Sequence, residues 1–306
     1  MPSFIATSLL LATAALQTVS AQNCTISFEG RIPQNFSLTD FESNVTSVYN
    51  PTNVLGRNTT WSQVLSFPKS RTGTLFSRPS VHKPVEVKIT DASVFQPNPS
   101  DVTSAQLGFR RSELIPVKFP VSSEDSTTGV KTLHFSLKAN PARPLNFSHE
   151  YQLVFLEDSS YSTNQFVLKT GTLLDGLNNT SARNPQLILQ SNQKTPETLF
   201  TAPFDQRAVH NFAVTQDFDQ NTIRIYYSTG NAPLTPRTEA LPNDNSGNGE
   251  FHFGILKKPT GGDPDVTKKG FQPSGIDERI TYSGVFQEDS ASGCISLGGV
   301  ARRRNY

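Results

Sequence analysis

Hydrophobic and polar positions alternate along this chain in short stretches and almost never recur at helical spacing. Val85, Val87 and Ile89 are separated by Glu86 and Lys88, and Leu133, Phe135 and Leu137 by His134 and Ser136. A period of two sends one set of side chains to each face, the mark of a half-buried strand. The same pattern predicts strands over 151–156, 165–169, 186–189, 211–215, 222–228, 251–256 and 280–287, with strand-like stretches around Glu113 and Glu150. Turn-forming runs such as Asp217-Phe-Asp-Gln-Asn221 and Asn243-Asp-Asn-Ser-Gly-Asn-Gly249 separate them. Many short strands joined by such turns predict an all-β fold, a β-jelly roll or two-sheet antiparallel sandwich in a single domain. The 21 prolines and 19 glycines leave few windows in which a helix persists.

The start of the chain departs from this pattern. An apolar run from Phe4 to Leu16 is too short to span a bilayer, and Val19, Ser20 and Ala21 offer a small-residue cleavage site. We therefore expect a signal peptide over 1–21, a domain over 22–297, a disordered tail over 298–306 and an extracellular location. Seven N-x-Ser/Thr sites fit that compartment as glycosylation candidates: Asn23, Asn35, Asn44, Asn58, Asn146, Asn178 and Asn179. In an oxidising compartment the two cysteines, Cys24 and Cys294, are expected to pair. Closing so long a loop is worth about 4–5 kcal/mol in the chain-entropy model.

Charge narrows the partners. With 27 basic and 26 acidic residues the net charge is +1, which favours neither nucleic acid nor an anionic membrane. A neutral ligand, a monomer and no cofactor are the expectations. No acidic loop has the spacing of a known calcium site.

Glu113 and Glu150 are the candidate chemistry. Strands deplete glutamate, and a buried charge is costly, so a carboxylate on a strand calls for a reason. Two carboxylates facing one groove are what hydrolysis of a glycosidic bond needs. Alternation places Arg111 on the side of Glu113, where its charge would keep that carboxylate ionised as a base, leaving Glu150 as the acid. Around Glu150 it sends Tyr151, Leu153 and Phe155 to the core, with Glu150 and Gln152 opposite. His252 alternates with Phe251 and Phe253 and so faces away from the core, whereas His210 shares parity with Phe212 and reads as a core-edge histidine. Tyr161, Asn164 and Gln165 are candidates for sugar contact with Arg111 and Gln152. Trp61 suits either sugar stacking or core packing.

A set of short blocks runs the length of the domain: Phe28-Glu-Gly-Arg-Ile-Pro33, Leu38-Thr-Asp-Phe41, Lys83-Pro-Val-Glu-Val87 and Gly108-Phe-Arg-Arg111. The set continues through Gly129-Val-Lys-Thr-Leu-His-Phe135, Leu145-Asn-Phe-Ser-His-Glu-Tyr151, Asn211-Phe-Ala-Val214, Gly254-Ile-Leu-Lys-Lys-Pro259 and Glu288-Asp-Ser290. In these blocks the chain resembles glycoside hydrolase family 131, a group of fungal secreted β-glucanases. The resemblance implies a β-jelly-roll catalytic domain acting with inversion on β-1,3-, β-1,6- and β-1,4-linked glucans. It also implies two catalytic glutamates, matched by Glu113 and Glu150, and a catalytic histidine, matched by His252 with His210 as the competing match. A polysaccharide lyase on a similar jelly roll and a glucan-binding module without catalysis remain the alternatives.

Overall fold

The computed structural model describes residues 24–68, 74–117, 126–176 and 183–298. The expected signal peptide, Asn23, Asn178, Asn179 and residues 299–306 of the expected tail lie outside them. The described residues form two large antiparallel sheets, with strands numbered in chain order. One sheet runs β14 (Thr235–Pro236), β13 (Thr222–Thr229), β12 (His210–Asp217), β7 (Val130–Ala139), β17 (Asp277–Asp289), β5 (Val85–Thr90) and β3 (Leu65–Ser66). β1 (Thr25–Glu29) also pairs with β17, and β15 (Leu241–Pro242) with β13. The other sheet runs β11 (Thr198–Pro203), β10 (Gln186–Gln190), β9 (Asn164–Gly171), β8 (Glu150–Glu157), β16 (Glu250–Lys257) and β6 (Arg110–Leu114). A small ribbon pairs β2 (Ile32–Pro33) with β4 (His82–Lys83).

The inner faces of the two sheets meet in one aromatic-rich core. Phe135 and Phe212 come from the first sheet, and Phe166, Phe251 and Phe253 from the second. Phe135 and Phe253 meet edge to face at 6.3 Å across the layer, a geometry that aromatic quadrupoles favour. Trp61 opens a single helical turn, α1 (Trp61–Val64), and is fully buried with its indole N–H on the Asn50 carbonyl. Its role is therefore packing, the second of the two expected of it. The Cys24–Cys294 disulfide is formed, joining the chain just before β1 to the chain just after β17. Among the described residues, no helix is long and apolar enough to cross a membrane.

One irregularity reshapes the second sheet. The β8–β9 register slips between Gln152 and Val154, and the β16–β8 register slips between Phe253 and Leu256. Such bulges leave backbone groups outside the ladder. The buried Tyr282 hydroxyl reaches across from β17 to two of them, 2.9 Å from the Leu153 carbonyl and 2.6 Å from that of Gly254. The slip also inverts parity along β8. Leu153 and Val154 both enter the core, Leu156 follows, and Phe155 turns outward to stack on His252. The expectation that Phe155 packs in the core is thus corrected: strict alternation does not survive the extra residue.

Candidate active site

The outer face of the second sheet carries a continuous run of ionisable side chains from β6 through β16 to β8. Arg111 and Glu113 lie on the same side of β6 and form a bidentate pair, with Nε and Nη2 of Arg111 each 2.7 Å from a Glu113 oxygen. The remaining guanidinium edge donates to Gln106 at 3.1 Å, and its plane lies over Phe95. Glu113 is fully buried, and a buried charge persists only when its lone pairs are occupied. His252 occupies one more of them, with Nδ1 2.7 Å from Oε2 of Glu113. Burial by itself would raise the Glu113 pKa. The Arg111 charge and the hydrogen bonds from His252 and Arg111 outweigh it and hold the carboxyl at about 2.

His252 passes this charge onward. Burial disfavours its protonated form, but the bond to Glu113 and the nearby Glu157 raise its pKa. Both ring nitrogens of the imidazolium carry protons. Nδ1 is spent on Glu113, while Nε2 lies 3.3 Å from Oε2 of Glu157, too oblique for a hydrogen bond. Glu157 is partly open to solvent, its side chain 23% exposed. It is the first carboxylate in the run that a ligand can reach.

Glu250 stands directly across the ladder from Glu157. It shares a face with His252 because Phe251 between them points into the core. Directly opposed residues place their Cβ atoms about 4.5–5.5 Å apart, so two like charges face each other here. Glu250 is half-buried. Burial pushes its pKa up; His252 opposes the rise and Glu157 adds to it. Gly249, just before it, sits at φ 140°, and a β-carbon there would collide with the Glu157 carbonyl oxygen. The two strand ends come this close because that side chain is missing.

A tight loop after β8 brings Tyr161 to the same end of the sheet. Asp158 accepts hydrogen bonds from the Ser162 and Thr163 backbone and from the Ser160 hydroxyl, while Tyr161 N–H donates to the Asp158 carbonyl. Tyr161 is held at φ 56° and is 62% exposed. Burial and the charges of Glu250 and Glu157 raise its pKa.

Glu150 belongs to a different cluster on the same face. Oε1 lies 2.8 Å from Lys258 Nζ and 3.7 Å from Lys169 Nζ, and Oε2 accepts the Leu174 N–H at 2.8 Å. Lys169 also pairs with Asp175, which accepts from Gln190. Burial raises the Glu150 pKa, but the two lysines and the Leu174 N–H more than offset it and lower it overall. A carboxyl held ionised this way is unsuited to the expected role of acid. Nor do Glu113 and Glu150 converge. At about 3.3 Å per residue and about 4.8 Å per strand, the registers put their Cα atoms roughly 15 Å apart. Each side chain is tied to its own partners, Glu113 to Arg111 and His252 and Glu150 to Lys258, Lys169 and the Leu174 N–H.

The remaining candidates divide between the clusters. Gln152 lies beside Glu150, its amide 3.4 Å from Oε1. Asn164 pairs in register with Glu157. Gln165 is buried, with its amide donated to the Ser246 and Asn248 carbonyls, so it braces the loop before Glu250. His210 is on the other sheet, buried between the Tyr227 hydroxyl and the Asp205 carbonyl, with burial lowering its pKa. Asn35, Asn44, Asn58 and Asn146 are exposed. Among the described residues no group of three His, Cys, Asp or Glu side chains is arranged to hold a metal ion.

Sequence reasoning passed over Glu157 and Glu250. For Glu157 the bulge in β8 concealed its face. For Glu250 a usable signal existed, since it shares parity with His252.

Comparison with known proteins identifies the fold and the family. Two crystal structures of family 131 catalytic domains share the fold at 22% identity. The Podospora anserina β-glucanase catalytic domain aligns with a TM-score of 0.68 over 90% of this chain and 98% of its own. That of Coprinopsis cinerea aligns at 0.63 over 90% and 97%. No match is found among curated protein sequences. The model of the glycoside hydrolase 131 catalytic N-terminal domain matches residues 26–293, nearly all of the described sandwich, and the chain belongs to glycoside hydrolase family 131.

Proposed function

We propose that this glycoside hydrolase is a secreted, glycosylated β-glucanase. In this proposal it cleaves β-1,3-, β-1,6- or β-1,4-linked glucan with inversion, at the solvent-facing end of the Arg111–Glu113–His252–Glu157 run. The observation that carries the proposal is that run itself. A buried, fully paired carboxylate fixes an imidazolium, and the imidazolium lies against a carboxylate that a ligand can touch. Glu157 is the base: it lies against the His252 ring and is open to solvent, where it takes a proton from the attacking water. His252 and Glu113 position it, and Arg111 completes the charge balance behind them. Tyr161 is exposed and offers its ring to a sugar face, and Asn164 lies opposite Glu157 in the ladder.

The substrate class is supported by the Podospora anserina β-glucanase with the same fold and by the near-neutral charge of the chain. A lyase would need cations free to neutralise a uronate. Here Arg111 is spent on Glu113, and Lys258 and Lys169 on Glu150 and Asp175.

The test is incubation with laminarin, a β-1,6-glucan, cellulose oligomers and a polyuronate, following reducing ends and ultraviolet absorbance of unsaturated products. Reducing ends from at least one β-glucan without new absorbance are expected. Absorbance from the polyuronate, or binding without any product, would overturn the proposal.

A further inference from the structure

A cavity of about 630 Å³ lies beside β6, the edge strand that carries Arg111 and Glu113. Its main walls, residues 51–61 and 95–99, belong to segments fastened to that strand through the backbone. Glu113 N–H donates to the Val54 carbonyl at 3.1 Å, and Arg111 N–H to that of Ser93 at 2.7 Å. Arg57 N–H ties one segment to the other through the Val94 carbonyl at 3.0 Å. Gly56 permits this approach, because a β-carbon there would sit 2.1 Å from the Ala92 carbonyl oxygen. The cavity is thus built into the backbone, and its volume falls within the range of about 300–1,000 Å³ that small-ligand sites occupy.

The lining selects a neutral, hydroxyl-rich ligand. Phe95 is half-buried in the wall and also carries the Arg111 guanidinium 5.5 Å from its ring centroid, so one ring borders both the cavity and the charged run. Arg57 is exposed, and its guanidinium makes no hydrogen bond or ion pair among the described residues. The other charged residue of the lining is Glu42, spent on the Ser62 N–H and hydroxyl. One charge of each sign leaves no net field to draw an anion. A pyranose ring matches this wall, with C–H groups for an aromatic face and hydroxyls for the five donors of a guanidinium.

We propose that this cavity is a subsite for the substrate chain, holding glucose units away from the bond that is cut, with Phe95 against a sugar face and Arg57 donating to its hydroxyls. That the occupant is a β-glucan rests on the β-glucanase proposal; that it is a neutral saccharide rests on the lining. Only an oligomer long enough to reach from the charged run past Phe95 gains this binding energy, so the subsite favours long chains over short ones through KM. Asn58 lines the same cavity and is exposed, which makes a glycan attached to it the competing occupant.

Trp61 is the only tryptophan of the chain and lines the cavity, so its emission reports binding there whether or not a bond is cut. The full chain is exported to a bacterial periplasm, which forms the disulfide and adds no glycan. It is then mixed by stopped flow, ahead of turnover, with β-1,3-, β-1,4- and β-1,6-linked glucohexaoses and with N,N′-diacetylchitobiose. At least one glucohexaose should change the emission saturably, with affinity about tenfold weaker in Arg57→Ala. In steady state Arg57→Ala should raise KM for that hexaose about tenfold, leave kcat unchanged and leave kinetics on the matching triose as in the wild type. Emission unmoved by every glucohexaose, or moved with equal affinity in Arg57→Ala, overturns the inference. A response to diacetylchitobiose alone also overturns it, by making the cavity the seat of the Asn58 glycan. Equal losses on triose and hexaose overturn it too, by moving Arg57 to the cleavage step. An emission change without reducing ends from any β-glucan keeps the subsite and sinks the β-glucanase proposal instead.

Discussion

Two charged clusters share the outer face of one sheet, and their chemistry diverges. Around Glu150, two lysines and a backbone N–H surround a single carboxylate, and Asp175 takes up the remaining positive charge. Every group there has a partner of opposite charge. Around Glu157 the pairing stops one residue short. Arg111, Glu113 and His252 complete one another, leaving Glu157 beside a cation and Glu250 beside a like charge. A neutralised cluster fixes backbone, whereas an incomplete one leaves carboxyls open to a ligand, as hydrolysis of an acetal demands. Position on the sheet does not separate the two sites; completeness of pairing does.

The contrast can be broken most directly at Glu157. Glu157→Gln should lower kcat on laminarin by about 10³-fold with little change in melting temperature, because its side chain is partly open to solvent and the amide is of the same size. Retained turnover would remove Glu157 from the chemistry. Glu113→Gln should reduce turnover and stability together. It leaves Arg111 buried beside an uncharged amide, at a cost of about 3–5 kcal/mol in chemical denaturation. Full stability would show that the Arg111–Glu113 pair is not the anchor described here.

Acid should act through the same groups. Glu113 and Glu150 have folded-state pKa values below their unfolded ones, so their stabilisation is present above the unfolded value of about 4.3 and is lost as pH falls. For Glu113 that loss extends to about pH 2. His252 has the opposite sign: its contribution is full below about 6.5 and fades as pH rises through its elevated folded value. Urea midpoints should therefore drop between pH 5 and pH 2, more steeply in the wild type than in Glu113→Gln. Parallel curves would contradict the assignment. The smallest effect is expected at Glu150. Glu150→Gln should keep turnover within about tenfold of wild type while melting earlier, since two lysines lose their counter-charge. If instead it folds normally and loses activity, the two clusters are one site and the pairing of Glu113 with Glu150 expected from sequence is restored.

Alternation located most of the sandwich because burial on one face imposes a period of two. The stretches over 132–138, 211–215 and 251–256 fall inside β7, β12 and β16. It also placed His252 outward and His210 inward, as the Phe251 and Phe212 packing requires. The short strand β11 escaped notice because Thr198, Leu199, Phe200 and Thr201 carry no such rhythm. The site was half legible. Arg111, Glu113 and His252 could be placed on one face from parity, but Glu157 has the parity of Tyr151 and Leu153 and reads as core-facing. Only the bulge between Gln152 and Val154 turns it outward, and nothing local in that run of apolar residues marks a bulge. Glu150 drew attention for its position on a strand, yet its counter-ions Lys169 and Lys258 come from other strands and loops. Counter-ions chosen by tertiary contact are invisible to periodicity.

Gly249 turns a backbone detail into a calibrated gap. Its absent methyl sets how far apart the ends of β8 and β16 stand, so even alanine would act as a shim between them. Such a wedge would leave every side chain of the run in place while mistuning the stance of Glu157.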